Sequence, residues 1–320
     1  MNSLVSIIIP CYNAERWIAE AIDSALSQTY SSLEVIVIDD GSTDHSLEII
    51  KGYGDRIRWE TGVNQGQSVA RNRGFSLSNG KYIQWLDADD YILPEKLENQ
   101  VSYLEESEDD IIYGDWRYQY HEINGYTRLG NVNVPGYHKD ILDALLSGVA
   151  LTVMNCLVKR KIVERLNGYD EKLRAGEDVD FWIRAAISGA KFVYQPGCYS
   201  VYRTYGNSTV STQNKKRLCN SFEIILEKSF NLLLSNNNLN KTSKKSLAKG
   251  HFLLVRYYLE FDKKLSFYHL KKVKHLAPGF KPDGHSIYEK AVRYLGFNWA
   301  GYLLIFKKNV TQIFIKIRFS

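Results

Sequence analysis

The stretch that decides the fold is Tyr82-Ile83-Gln84-Trp85-Leu86-Asp87-Ala88-Asp89-Asp90, where a short apolar run meets three carboxylates. The apolar part predicts a buried strand, because it is brief and ends at once in polar residues. Ligands of α/β sheets bind beyond the carboxyl ends of the strands, and the carboxylates fall there. The alternative interpretation is a solvated acidic turn.

The same order of strand, polar turn and helix surrounds this stretch. Alternating strands and helices favour an α/β fold with a mixed, mainly parallel sheet flanked by helices. The predicted strands are Val5–Ile9, Leu33–Ile38, Ile57–Glu60 and Lys81–Leu86, and the predicted helices are Glu15–Ser27, Gln67–Leu77 and one from about Pro94.

Beyond residue 110 the pattern changes. Tyr-rich, antiparallel strands are expected over Ile111–Gly136, and a helix is expected from Glu177. Lys191–Tyr194 and Tyr199–Tyr202 predict two short closing strands. After Lys215 the pattern is helical and Lys-rich, so we expect a catalytic domain over 1–214 and a basic helical region over 215–320.

Charge divides the chain in the same place. Residues 1–214 carry 20 Lys and Arg against 30 Asp and Glu, whereas residues 215–320 carry 21 against 6. Four scattered cysteines lack metal-ligand spacing and suit a reducing compartment. We see no signal peptide and no run of the ~20 apolar residues that a spanning helix needs. These features predict a cytoplasmic protein.

Three acidic constellations are candidates for chemistry. Asp87 and Asp89 have the spacing to converge on one Mn²⁺ or Mg²⁺ beside phosphate oxygens. Asp40 follows the second strand, where a carboxylate can accept a hydrogen bond from a uracil-like base. Glu177 and Asp178 open a helix and offer a carboxylate base for an attacking hydroxyl. The alternatives are an acidic turn, a helix N-cap, and acids favoured by a helix dipole.

Taken together, these pieces resemble glycosyltransferase family 2, of the GT-A fold, over about Ser3 to Ser211. Five blocks in the right order carry the resemblance. They are Val5–Asn13, Ser27–Tyr30 with Glu34–Asp44, Asn64-Gln65-Gly66 with Ala70-Arg71-Asn72, Leu86–Asp90, which looks like the DXD motif, and Gly176-Glu177-Asp178, which looks like the acidic base motif.

The resemblance implies roles around a nucleotide. Pro10 and Tyr12 border the nucleobase, with Tyr12 stacking on it, and Asp40 holds the base edge. Arg71 lies near the base or the phosphates. These contacts favour a UDP-sugar, although thymine would fit much the same contacts.

The resemblance also implies the catalytic carboxylates. Asp89 is the direct metal ligand, and Asp87 faces the ribose or sugar and the metal. Asp178 is the first choice for catalytic base, with Glu177 the alternative. Enzymes of this family invert the anomeric carbon.

Two departures from the family pattern stand out. Tyr205 occupies the place of a histidine that often lies close to metal and diphosphate. Arg203 is therefore expected to contact phosphate without the help of that histidine. The Gln-x-x-Arg-Trp motif of processive synthases is absent. The chain has two Arg-Trp pairs, and the residue three positions before each arginine is Asn13 or Asp55 instead of Gln. A single-addition enzyme is therefore favoured.

The expected partners are a nucleotide-sugar donor and a glycan or lipid-linked acceptor in cell-surface polysaccharide synthesis. The basic region, including the segment Tyr294–Phe319, suggests docking on an anionic membrane surface. The alternatives are a solvated helical face and nucleic-acid binding, which no motif supports. A different class of function is a non-catalytic nucleotide-sugar-binding module. A dinucleotide oxidoreductase is not supported, because no Gly-x-Gly-x-x-Gly follows the first strand.

Overall fold

The computed structural model describes residues 3–122, 125–205, 215–259 and 261–282. It divides into two compact units, one of residues 1–145 and 149–225, the other of residues 146–148 and 226–320. The predicted segment Tyr294–Phe319 lies outside the described residues. Within them, no helix combines the length and the apolar character needed to span a bilayer.

One nine-stranded sheet organises the first unit, with strand order β3-β2-β1-β4-β8-β6-β9-β5 and β7 paired to β6. The strands are β1 Val5–Cys11, β2 Leu33–Asp39, β3 Arg58–Thr61, β4 Tyr82–Trp85, β5 Tyr91–Ile92, β6 Ile111–His121, β7 Thr127–Asn133, β8 Cys156–Lys159 and β9 Phe192–Tyr205.

Ten α-helices accompany the strands in the described residues. They are α1 Ile18–Leu26, α2 Ser46–Gly52, α3 Gln67–Leu77, α4 Lys96–Glu106, α5 Ile141–Leu146, α6 Arg160–Leu166, α7 Glu177–Ile187, α8 Lys215–Ser235, α9 Lys241–Tyr258 and α10 Lys263–Leu276.

The first four strands pair in parallel, as the alternation of strands and helices predicted. Strand β1 is buried at all seven positions, because it lies between β2 and β4 in the sheet. Helix α1 turns Ile18, Ala21, Ile22 and Ala25 into the core that β1 shares. This buried arrangement explains why β1 is an almost continuous apolar run, interrupted by Ser6, rather than an alternating one.

The other half of the sheet is mixed. Strand β8 runs antiparallel to both β4 and β6, whereas β9 runs parallel to β6. The α/β fold is confirmed, with parallel pairing in the first half and mixed pairing here. Because β5 pairs with β9 through Tyr91 and Val201, the acidic loop after β4 is held against the end of β9.

Two local predictions were wrong. The two expected short strands form one 14-residue strand, β9, whose pairing with β6 is irregular around Cys198. Gly197, at a φ of +133°, allows the strand to continue through this irregularity. Helix α6 was not predicted, because its seven residues give too short a periodic pattern.

The second unit contains the paired helices α9 and α10. The Asn240 side chain accepts bonds from the backbone N–H groups of Thr242 and Ser243, and Asp262 caps α10 in the same manner. Leu247, Leu254 and Leu270 are buried. Helical pairing of this kind agrees with the helical pattern predicted after Lys215.

Candidate functional site

A cleft of about 810 Å³ opens where β1, β2 and β4 end. Its wall is formed by the loops that follow these strands, by the start of α3 and by the start of α7. Tyr12, Asp40, Asp87, Asp89 and Glu177 all line it, although they are distant in sequence. The parallel pairing of β1, β2 and β4 brings the first four together, because neighbouring parallel strands end at one edge.

The Asp40 carboxylate organises one end of the cleft. Its two oxygens accept hydrogen bonds from the backbone N–H groups of Gln65 and Gly66, each at 2.8 Å. Gly66 adopts a φ of +97°, a conformation that favours glycine. Tyr12 is 51% exposed at the same end, beside Pro10 in the wall. This end therefore presents an aromatic face next to a carboxylate.

Arg71 is buried behind the wall and joins two of the acidic constellations. Its guanidinium donates to Asp87 Oδ1 at 2.7 Å and to Glu177 Oε1 at 2.9 Å. Burial lowers the pKa of Arg71, but the charges of Asp87 and Glu177 outweigh burial and raise it. Arg71 does not line the cleft, and its guanidinium also lies over the Tyr169 ring at 5.0 Å.

The acidic loop after β4 concentrates negative charge. Asp89 lines the cleft, and its Oδ2 accepts a 2.7 Å hydrogen bond from the Tyr205 hydroxyl. Burial, and then the charge of Asp87, raise the pKa of Asp89. Asp90 is buried, and burial together with the charges of Asp89 and Asp87 raises the pKa of Asp90 well above its ordinary value.

Arg203 lies beneath this loop and does not line the cleft. Its backbone N–H donates to Asp90 Oδ1 at 2.8 Å, and its Nη1 donates to the Asp89 carbonyl at 3.0 Å. The guanidinium also pairs with Glu20 and packs over the rings of Trp17 and Tyr91. A buried cation with these partners positions the loop. The geometry gives no support to the predicted phosphate contact.

The two acids at the start of α7 have different surroundings. Glu177 lines the cleft and is paired with Arg71. Asp178 is half-buried outside the lining, and its Oδ1 accepts from the Val179 backbone N–H at 2.8 Å. Burial, and then the charge of Glu177, raise the pKa of Asp178 to about 7, and Asp87 contributes to the shift. Asp178 is thus electrostatically part of the site.

Several cleft residues escaped sequence reasoning. Trp17 stacks on Tyr205 with ring centroids 5.6 Å apart, and Gln67 donates to Asp87. Arg174 and Arg217 also line the cleft, and Arg217 Nη2 donates to the Arg174 carbonyl. Their sequence signal is weak, because isolated arginines occur throughout the chain. Arg217 belongs to a basic run at residues 215–217, but this run alone does not predict a place in the cleft.

The residues present fit a divalent cation at Asp87 and Asp89. No group of three or more His, Cys, Asp or Glu side chains in the described residues is placed to hold a metal unaided. Two carboxylates suit a cation that takes its remaining ligands from phosphate and water. Asp87 and Asp89 both line the cleft, and their carboxylate oxygens are the donors that such a hard cation prefers.

Comparisons with known proteins agree with this geometry. Residues 6–166 match the model of "Glycosyl transferase family 2". An uncharacterized glycosyltransferase of Haemophilus influenzae is 31% identical over 230 residues, which are 70% of this chain and 88% of that protein. With other curated glycosyltransferases, from Rickettsia species, the match spans only 27% to 58% of the relative's length.

Solved structures share the fold. S. aureus TarS 1–349 in complex with UDP-GlcNAc superposes with a TM-score of 0.63, at 18% identity, over 86% of this chain and 81% of TarS. The mannosyltransferase PcManGT of Pyrobaculum calidifontis, in complex with GDP-Man and Mn²⁺, gives 0.53 at 16% identity, over 88% and 89%. With the family match over half the chain, these likenesses lead to one conclusion: the chain belongs to glycosyltransferase family 2 and has the GT-A fold.

Proposed function

We propose that the chain transfers one sugar from a nucleotide-sugar donor, a UDP-sugar by preference, to a hydroxyl of a glycan or lipid-linked acceptor in cell-surface polysaccharide synthesis, with inversion at the anomeric carbon. One observation carries this proposal. A single cleft is lined by an exposed aromatic ring, Tyr12, by the carboxylates of Asp87 and Asp89, and by Glu177 beside Asp178. TarS and PcManGT, which have the same fold, were solved with UDP-GlcNAc and with GDP-Man and Mn²⁺.

The donor would lie along the cleft from Tyr12 to Asp89. Tyr12 offers a face for the base, and each Asp40 oxygen keeps a lone pair beyond the backbone bond it accepts. Asp87 and Asp89 would hold Mn²⁺ or Mg²⁺, which supplies positive charge to a departing diphosphate. Arg71 keeps Asp87 in place, and Tyr205 keeps Asp89 in place.

Asp178 remains our choice for the catalytic base. A general base works best with a pKa near the working pH, and burial raises the pKa of Asp178 to about 7. Glu177 is instead paired with Arg71 at 2.9 Å, so its carboxylate already serves to hold the buried guanidinium. We therefore propose that Glu177 positions the start of α7, while Asp178 accepts the acceptor's proton.

A single base on one face of the donor supports one in-line displacement. The acceptor oxygen attacks the anomeric carbon as Asp178 takes its proton, and the bond to the nucleoside diphosphate breaks on the opposite side. An α-linked donor would then give a β-linked product. NMR of the product from an α-linked donor tests this stereochemistry, and an α-linked product would exclude the proposed mechanism.

We also propose that the second unit docks on anionic membranes. Aromatic side chains on and beside α9 and α10 are exposed at Tyr257, Phe261 and Phe267. Lys271 lies over the Phe267 ring at 5.0 Å, so charged and apolar groups share one surface. Such surfaces gain both apolar burial and attraction to acidic lipids. Sedimentation with phosphatidylglycerol vesicles should show binding that 0.5 M salt reverses, and equal binding to phosphatidylcholine would refute it.

A donor screen tests the proposed function as a whole. Thermal stability should rise with a UDP-sugar plus Mn²⁺, and rise less with either alone, because the donor completes the coordination of the cation. UDP release on addition of acceptor then measures turnover. A protein that binds donors without releasing UDP with any acceptor would instead be a nucleotide-sugar-binding module.

A further inference from the structure

A second cavity adjoins the cleft and is strongly cationic. It has a volume of about 420 Å³ and lies between the loop before α7 and the first turns of α8. Four of its lining residues are basic, namely Lys172, Arg174, Lys216 and Arg217. None of the lining residues in the described part of the chain is acidic.

Two of the cations are held in place by backbone bonds. Arg174 Nη1 donates to the Gln65 carbonyl at 2.6 Å, and Arg217 Nη2 donates to the Arg174 carbonyl at 2.8 Å. Lys216 and Arg217 occupy the first turn of a 21-residue helix, where the helix dipole adds positive potential. All four cations are exposed, so water screens their mutual repulsion, but together they give the cavity a positive potential that attracts anions. The cavity is therefore built for an anionic ligand.

The position of the cavity identifies which ligand this is. Arg174 and Arg217 line both the second cavity and the cleft, so the two spaces are continuous. The donor diphosphate belongs at the Asp87 and Asp89 end, because those carboxylates suit the cation that accompanies it. The Arg174 guanidinium reaches Gln65 beside Asp40, whereas Ser221, which also lines the second cavity, packs against Gly176, the residue before Glu177 at the base end of the site. An anion here would belong to the acceptor rather than to the donor.

We propose that this cavity binds a phosphate group of the acceptor, so that the acceptor is a phosphate-bearing glycan or lipid. The inference rests on the proposed function, since it assumes that the cleft holds the donor. Two arginines and two lysines offer the charged N–H donors that phosphate oxygens accept. A single carboxylate, as in an acidic sugar, would leave most of this charge unneutralised. The phosphate could belong to a lipid carrier or to a phosphodiester of a soluble polymer.

The test uses the full chain with UDP and Mn²⁺ in excess, so that the cleft is filled. Calorimetry then measures binding of glycerol 3-phosphate, of polyprenyl phosphate in phosphatidylcholine nanodiscs, and of glucuronate as a carboxylate control. The decisive variant is Lys172→Gln with Lys216→Gln, because both lysines line the second cavity and neither lines the cleft. The matched control is Lys51→Gln with Lys139→Gln, two exposed lysines elsewhere in the first unit.

We expect wild-type protein to bind at least one phosphate probe. The double variant Lys172→Gln with Lys216→Gln should lose about tenfold or more in affinity for that probe, because charge-assisted hydrogen bonds are lost. The control should stay within about twofold. Stronger binding of the nanodisc probe would assign a lipid carrier, and stronger binding of glycerol 3-phosphate a soluble polymer. Absence of phosphate binding, an unchanged affinity in the first variant, or equal binding of glucuronate would overturn the proposal. UDP affinity measured on the same proteins tests the donor cleft separately.

Both lysines are exposed, so the variants should fold, and a melting curve checks this. The single variants Lys172→Gln and Lys216→Gln provide a second test. Each should lose part of the affinity for the phosphate probe that the double variant loses. If neither single variant weakens phosphate binding, the anion lies elsewhere and the inference fails.

Discussion

The first unit holds half-buried carboxylates at or beside its cleft, whereas the second unit buries histidines that bond to each other. Asp89 and Asp178 have raised pKa values, because burial disfavours their ionised forms. His251 and His269 lie with Nδ1 atoms 3.1 Å apart, and burial is the largest cause that lowers both of their pKa values. Burial shifts pKa values in both units, so a shifted pKa indicates a functional group here only together with a position at the cleft, as for Asp89, or beside it, as for Asp178.

The largest effect should come from Asp89. Asp89→Asn keeps the size of the side chain but removes the charge that would hold the cation. We expect turnover to fall about 10³-fold, in the range for loss of a main electrostatic contact in a transition state. UDP release in the presence of Mn²⁺ measures it. Asp55→Asn, at an exposed site, is the control. Unchanged turnover would remove Asp89 from the site.

The pH profile should show the next largest effect. A base works when deprotonated, and burial raises the pKa of Asp178 to about 7. Activity should therefore be full above pH 7 and fall by about tenfold per pH unit below it. The kcat/KM measured from pH 5 to 9 gives the profile, and UDP affinity over the same range separates donor binding from proton transfer. A profile that is flat from pH 5 to 7 would exclude Asp178 as the base.

Arg203 should affect stability and turnover together. Arg203→Gln removes a buried cation that holds the Asp89 carbonyl and pairs with Glu20. We expect a loss of about 2–4 kcal/mol in the free energy of unfolding, because the buried partners are left without their donor. Urea unfolding measures it, and Arg165→Gln is the exposed control. Weaker UDP binding at unchanged stability would instead support the predicted contact between Arg203 and the donor phosphate.

The smallest effect should come from the histidines of the second unit. His251→Phe should cost about 1 kcal/mol of stability at pH 8 through one lost hydrogen bond, and leave turnover unchanged. Burial lowers the pKa of His251 to about 3 and that of His269 to about 4, so both are neutral in the folded protein.

The same pair predicts a pH dependence of stability. Unfolded histidines bind protons below pH ~6.5, so wild-type stability should be full above that pH and fall as pH drops towards 4. His251→Phe should weaken this dependence, whereas His275→Phe, at an exposed site of α10, should not alter it. Reduced turnover in His251→Phe with intact folding would show that the buried histidines also serve function, contrary to the difference drawn between the two units.

Much of the first unit was predictable from sequence. Strand β1 and helix α1 have strong local patterns, and the acidic residues follow strands that end at one edge. The roles of Arg71 and Arg203 were not predictable. Each is a single cation whose partners lie far along the chain, as with Arg71 and Glu177, and only the fold brings them together. The cationic cavity escaped for the same reason, because it joins residues 172–174 with 216–217.

The second unit was less predictable. Its helices could be expected from the pattern after Lys215, but the bond between His251 and His269 depends on how α9 packs on α10. Periodicity places residues on a face of a helix without saying which partner they meet. The domain boundary at residue 214 stays a prediction from composition and charge, and the two compact units meet in the chain between Ile225 and Leu226, within α8.

Asp178→Asn, assayed in parallel for UDP binding and for turnover, tests the central claim most directly. If carboxylates from distant segments serve one donor cleft, this variant should keep UDP and Mn²⁺ affinity within about twofold and lose turnover by at least about 100-fold, since only the proton acceptor is removed. Turnover equal to wild type would contradict the account. A complete loss of UDP binding in Asp178→Asn would also contradict it.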